Sequence, residues 1–133
     1  RKINKSDNEV TMKYFSRHII MPIHLNSTQS LCCGQLLSWV NEEATIFASC
    51  QMRSQFHIAK VISEINFMAP AQTGDIIEFG FELVSLGQSS VTVRCKIRNK
   101  INHAPIAFID KMVFVNVNEN GLPIPHGMRA NAA

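Results

Sequence analysis

The stretch from Leu31 to Met52, LCCGQLLSWVNEEATIFASCQM, decides the fold. Leu36, Val40, Phe47 and Cys50 recur near the helical period on one face, and Leu37, Trp39, Ala44, Ile46 and Ala48 carry apolar surface around most of the circumference. One long, buried helix is expected. At its waist Asn41, Glu42 and Glu43 interrupt the apolar surface, and polar groups on a buried helix need partners, so this turn is expected to face a cleft or a second chain. The polar loop before it, IHLNSTQS, ends in Ser30, placed to cap the helix by accepting a hydrogen bond from a free first-turn amide.

On both sides the period changes from helical to alternating. Glu9 to Tyr14 alternates and is expected to start a strand running on toward Pro22. Lys60 to Phe67 alternates with Val61, Ser63, Ile65 and Phe67 on one side, after a polar connection from Arg53 to His57. Asp75 to Val84 points Ile77, Phe79, Phe81 and Leu83 one way and Glu78, Gly80 and Glu82 the other. Ser90 to Arg98 answers across Gly87 and Gln88 with Val91, Val93, Cys95 and Ile97 inward and Thr92, Arg94, Lys96 and Arg98 outward, which makes a hairpin. Ile106 to Val117 is the last long strand, closed by the turn signal Asn118 to Gly121. The layout is α+β, one central helix against a curved antiparallel sheet, in a single domain over 1–133 with residues 1–8 and 126–133 as flexible arms. One sheet covers one side of such a helix, so the remaining apolar face is expected to meet a second copy.

The 133 residues are 46% hydrophobic and 17% charged, and mean hydropathy is +0.03. That places the chain among globular proteins with apolar surface reserved for an interface. A net charge of +3 is too mild for a dedicated nucleic-acid binder, yet clustered it favours an anionic ligand. Cys32, Cys33, Cys50 and Cys95 lack the spacing of a zinc site or a disulfide framework, so no metal is expected and the compartment reads as reducing. No apolar run reaches membrane-spanning length and no signal peptide is recognisable, so a cytoplasmic location is expected. The chain opens on Arg rather than Met, which leaves room for an upstream segment.

Five stretches together resemble one family: HIIMPIHLNS, CCGQLLSWVNEEA, INFMAPAQTGD, GQSSVTV and NENGLPIP. They are similar to the hotdog-fold acyl-CoA thioesterases, over about 110 residues from Val10 to Pro125. The resemblance implies a hotdog fold dimerising through its sheet and helix face, as a dimer or a trimer of dimers. It also implies hydrolysis of acyl-CoA, with coenzyme A entering as part of the substrate and no further cofactor. In the family the helix starts at a glycine pair whose amides face the thioester carbonyl, and a carboxylate two turns in, across the dimer, orients or activates water. Carried over, the glycine pair falls on Cys33 and Gly34, the carboxylate on Asn41, and a loop amide or acid on Ser30. An amide at position 41 holds water but takes up no proton.

The residues themselves give the same chemistry a basis. A thioester has a stable leaving thiolate, so hydrolysis needs oxyanion stabilisation and a placed water more than a strong acid. The helix start at Gly34 offers free amides backed by the helix dipole. Asn41, Glu42, Glu43 and Ser30 are the candidates for water, with Glu42 or a residue of the other subunit as base. Ser89, Ser90, Arg94 and Lys96, in a row continued by Arg98 and Lys100, are the candidates for the phosphates of coenzyme A. Two other readings compete: a catalytically impaired domain that binds acyl-CoA as a sensor or scaffold, and dehydration of a hydroxyacyl thioester by His24 and Glu42. His57 is a base by residue type, and Cys32 and Cys33 at a helix start are the candidates for covalent chemistry.

Overall fold

The alternation and the helical period are realised as seven elements in a computed structural model that describes residues 12–129. In chain order these are β1 (Lys13–Ile19), α1 (Cys33–Met52), β2 (His57–Ile62), β3 (Ile65–Phe67), β4 (Ile76–Leu86), β5 (Ser90–Asn99) and β6 (Pro105–Asn116), with a short 3-10 turn at Pro22–His24. The strands form one sheet in the order β1-β4-β5-β6-β2, with β3 also paired to β6, and every pairing is antiparallel. The sheet curves around α1 as the patterning requires.

The core lies between the helix and the concave face. Leu36, Trp39, Val40, Ala44, Phe47, Ala48 and Met52 of α1 pack on Ile77, Phe79 and Phe81 of β4, on Val91, Val93, Cys95 and Ile97 of β5, and on Ile109, Met112 and Phe114 of β6. The inward sets read from β4 and β5 are therefore the core, with Leu83 at its margin. Burial pushes the Cys95 thiol well above its ordinary range. Among the described residues no helix is long and apolar enough to cross a membrane.

The opposite face of the sheet carries a charged layer that alternation placed outside but did not show to be covered. Glu78 is 2% exposed, held by Arg98 Nε at 2.6 Å and by Arg17 Nε at 3.6 Å. The Arg98 guanidinium lies 3.7 Å from the centre of the Tyr14 ring. Tyr14 fits because its register partner is Gly80: a Cβ there would meet the ring at 2.6 Å. Gly80→Ala is expected to displace the ring, open the Arg98 stack and cost about 1–3 kcal/mol in chemical denaturation.

Several boundaries differ from the sequence reading. The helix begins at Cys33 rather than Leu31, because Leu31 is drawn off to hydrogen-bond the Ala71 carbonyl at 2.8 Å and to bridge Leu25. Ser30 is not its cap: Cys32 holds that position and no side chain caps this end. Nor is the helix buried nearly all round, since Ile46 is 54% exposed and Glu42 and Asn41 face outward in the single chain. The strand read as Lys60 to Phe67 is two strands broken at Ser63 and Glu64, where Ser63 N–H donates to the Lys111 carbonyl (2.8 Å) and Ser63 Oγ accepts from Lys111 N–H (3.1 Å). β1 is assigned from Lys13; the expected start at Glu9 and the arm at 1–8 lie outside the described residues. The expected arm at 126–133 is tied down where it is described, for His126 N–H donates to the Gln88 carbonyl at 3.1 Å and its ring to the Ser90 carbonyl at 2.9 Å.

Candidate active site

The helix start is built by the loop before it. Asn26 Oδ1 accepts three hydrogen bonds, from Thr28 N–H (2.9 Å), Thr28 Oγ1 (2.7 Å) and Ser30 N–H (3.1 Å). Its own N–H donates to the Ser30 carbonyl at 2.7 Å. The carboxamide is thus oriented with its oxygen saturated by the loop, which leaves the Nδ2 protons without a partner among the described residues. Two further bonds seat the helix: Cys32 N–H to the His24 carbonyl and Leu31 N–H to the Ala71 carbonyl, each 2.8 Å. The first bond inside the helix is Leu36 N–H to the Cys32 carbonyl, so the amides of Cys33, Gly34 and Gln35 remain as donors at the positive end of the 20-residue α1.

Asn26, Thr28, Ser30, Cys33 and Leu36 line one side of a groove of about 400 Å³ at this end, with Phe67, Met68 and Pro70 on the other. Close packing of helix on sheet is not what requires Gly34, because a Cβ there would touch only Cys32 Sγ, at 3.9 Å. A glycine with open space above it leaves the amides accessible. What this end offers chemically is a set of N–H donors, from the backbone of the helix start and from Asn26, beside a groove that Asn26 and Cys33 line, and such donors are what holding a developing oxyanion requires.

Seven residues from Gly34, about 10 Å along the axis, Asn41 lines a second groove of about 540 Å³ with Leu37 and Val40 of the helix and Ile62, Ser63, Glu64 and Ile65 of the sheet edge. The two grooves adjoin along β3, since Phe67 lines the first and Ile65 the second. The other waist residues lie elsewhere. Glu43 Oε2 is 3.4 Å from His18 Nε2, and it borders a separate apolar cavity of about 220 Å³ with Phe15, Ile46 and Phe47 on the β1 side. Glu42 is exposed and lines neither groove.

The remaining candidates sort by position. Arg94 is engaged by Glu82 at 3.0 Å and Asp110 at 3.1 Å, which hold its guanidinium still more firmly in the charged form, Glu82 first. Lys96 is exposed and borders a cavity of about 310 Å³ with Tyr14, Arg98, His103 and Phe108 on the outer face of the sheet. Ser89 and Ser90 stand at the end of the sheet where Ser90 pairs with Val115, whereas the helix start lies at the Ile97 and Ile106 end. Along a 10-residue strand these ends are about 30 Å apart, so one chain does not bring the two serines to Gly34.

His24 Nδ1 accepts from Met21 N–H at 3.0 Å and the ring stands edge-on to Trp39, while Glu42 faces outward, so the pair needed for dehydration is not assembled in the chain. Ser49 Oγ lies 2.8 Å from His57 Nε2, a nucleophile-to-base distance. Yet the Ser49 hydroxyl donates to the Thr45 carbonyl at 2.9 Å, so the imidazole donates to Ser49 and ties α1 to β2. Burial lowers the His57 pKa, with the Thr45 backbone contact acting in the opposite sense. Among the described residues no group of His, Cys, Asp and Glu is arranged to hold a metal ion.

Asn26 and Glu64 are the groove residues that sequence reasoning passed over. Asn26 had a signal, since Asn followed at two and four residues by Thr28 and Ser30 is the pattern of a side chain that closes its own turn. Glu64 had none, because it sits at an alternation position of what read as an unbroken strand.

Solved structures with this arrangement include an acyl-CoA hydrolase from Staphylococcus aureus in complex with butyryl coenzyme A, at 24% identity and a TM-score of 0.76, covering 86% of this chain and 68% of that one. A hexameric thioesterase from Yersinia pestis matches at 19% identity and a TM-score of 0.77, over 85% of this chain and 93% of that one. A hexameric broad-specificity acyl-coenzyme A thioesterase matches at 18% identity and a TM-score of 0.76, over 89% of this chain and 83% of that one. These likenesses identify the helix and curved sheet as the hotdog fold that the sequence resemblance implied. No curated protein matches the sequence. The family model described as the thioesterase superfamily matches residues 31–106, from the loop that seats the helix to the start of β6 and over more than half of the chain, and the chain belongs to that superfamily.

Proposed function

We propose that the protein hydrolyses acyl-CoA thioesters at a site completed by a second copy of itself, releasing coenzyme A and a carboxylic acid. The observation that carries this reading is the open helix start: uncapped amides and the Asn26 carboxamide stand at one groove, their N–H donors without a partner among the described residues. There the thioester carbonyl accepts from Asn26 and the helix amides. Water adds to the carbonyl carbon, the negative charge moves onto the held oxygen, and collapse expels the coenzyme A thiolate. No cofactor enters the reaction. The four cysteines, all free, fit the reducing cytoplasm proposed as its setting.

The second copy is supported by the apolar edge beside the grooves, where Ile58, Ile62, Phe67 and Met68 are 49–53% exposed. In the proposed dimer an antiparallel copy across β2 and β3 brings each helix start toward the other copy's waist at Asn41 and reverses the direction in which Ser89 and Ser90 lie. The hexameric state of the Yersinia pestis thioesterase supports a trimer of such dimers. The Staphylococcus aureus hydrolase is also known with an asparagine and with an aspartate replaced by alanine, fifteen positions apart, the separation of Asn26 and Asn41 here. That spacing supports Asn26, rather than Ser30, as the loop donor. Of the proposed phosphate contacts, Lys96 keeps its charge uncommitted, whereas Arg94 is shared with Glu82 and Asp110.

Release of free thiol from acyl-CoA substrates of graded chain length tests the reading; turnover of at least one is expected, and tight binding with no release overturns it. Asn41 favours a second reading, an acyl-CoA-binding domain without catalysis, because an amide accepts no proton. Asn41→Asp separates the two. For a working hydrolase turnover rises by no more than about tenfold, since water is already activated, whereas a domain lacking only its acid gains about 100-fold or more.

A further inference from the structure

The groove at the helix waist contains a carboxylate that the helix itself does not supply. Glu64 stands in the break between β2 and β3, and it borders the same cavity of about 540 Å³ as Asn41. The other lining groups are Ser63 and the apolar side chains of Leu37, Val40, Ile62, Ile65, Ile109 and Met112, so Glu64 is the titratable group on that wall. The break is built rather than frayed. Ser63 is fixed to Lys111 by a bond in each direction, which steps the chain out of the pleat at Glu64 before β3 resumes pairing at Ile65 with Ile109. The Glu64 carboxylate has no ion pair or hydrogen bond among the described residues. Opposite the break β6 carries Asp110 and Lys111, and β2 carries Lys60, all exposed. Glu64 is exposed, as Asn41 and Glu42 are, but Glu42 does not line this groove, and Glu43 is held by His18 and borders the separate cavity on the β1 side.

We infer that Glu64 is the general base of the site, doing from the sheet edge what a carboxylate at position 41 would do from the helix. The inference rests on the acyl-CoA hydrolysis proposed above. Asn41 holds the water in the groove, and Glu64 takes one of its protons as the water oxygen bonds to the thioester carbonyl carbon. The carbon–sulfur bond then breaks, the pair of electrons leaves on the coenzyme A sulfur, and the proton on Glu64 passes to that thiolate or to solvent. An acidic side chain on an exposed strand edge also guards against unwanted pairing. That role does not account for its sharing one groove with Asn41.

The test uses the full chain and its Glu64→Gln, Glu64→Asp and Glu64→Gln/Asn41→Asp forms, with acetyl-, butyryl- and palmitoyl-CoA as probes, thiol release followed from about pH 5 to 9, and sedimentation velocity on each form. Glu64→Gln is expected to lower kcat about 100-fold, with KM changed by less than about twofold, and to remove the acid limb of the pH–rate profile. Glu64→Asp keeps that limb, and Asn41→Asp in the Glu64→Gln background restores turnover to within about tenfold of the parent. Parent-like kcat and an unchanged acid limb in Glu64→Gln, with the parent active, overturn the assignment of Glu64 and leave hydrolysis standing. Loss of turnover that follows only a change in sedimentation, without rescue by either variant, assigns Glu64 to edge protection and overturns it too. A parent inactive on all three probes overturns the hydrolase reading, and Glu64 as its base with it.

Discussion

Asn26→Asp is expected to lower acyl-CoA turnover by about 10²–10³-fold while leaving the fold unchanged. The substitution is nearly isosteric, and a carboxylate oxygen can accept the same three bonds that Asn26 Oδ1 takes from Thr28 and Ser30. The loop therefore keeps its shape and the helix start its anchor. What changes is the other arm, where two N–H donors become a second anionic acceptor on a residue that lines the groove. An oxygen that gains negative charge during attack would meet repulsion in place of a hydrogen bond. Asn26→Ala is less informative, because it also releases the loop. Thiol release alongside a thermal melt checks the expectation: lower kcat with an unshifted Tm supports the donor role, and parent-like kcat contradicts it.

Phe79→Ala is expected to cost about 3–5 kcal/mol of folding stability. Phe79 is fully buried in the middle of β4, and its ring stands edge-on to His18 of β1 at 5.4 Å and to Trp39 of α1 at 6.3 Å. It is thus the contact at which the edge strand, the central sheet and the helix meet. Removing it leaves a cavity with walls on three elements, none free to collapse inward. For a chain of this size the loss corresponds to a drop in Tm of about 10–18 °C. Phe15→Ala provides the contrast: that ring is 60% exposed, and a fall of less than about half as much is expected. Equal shifts for the two would contradict the account of the core.

Much of the fold was legible because burial imposes a period on the sequence. The inward sets on β4 and β5 follow from alternation, and the helix from its apolar recurrence, since a side chain on the wrong face would break either pattern. The ends of the helix were less legible. Leu31 continues the apolar rhythm, but its N–H is taken by Ala71, a residue 40 positions later, and no local pattern encodes that bond. The break at Ser63 and Glu64 has no local signature for the same reason, being set by the pairing of Ser63 with Lys111 on a distant strand.

The candidate site divides in the same way. Gly34 and Asn41 were marked in the sequence, one by its place at a helix start and the other as a polar residue on an apolar rod. Ser30 is not the cap, since no side chain caps the helix start, and its N–H is instead one of three donors that converge on Asn26. Arg94 looked like a free cation until the sheet set Glu82 and Asp110 on either side of it. By itself the sequence determined the fold class, the long helix and the thioesterase resemblance, since each depends on residue type at near spacing. The tertiary structure alone decided which polar groups are left without partners, and so available to a substrate, because that depends on bonds between residues far apart in the chain.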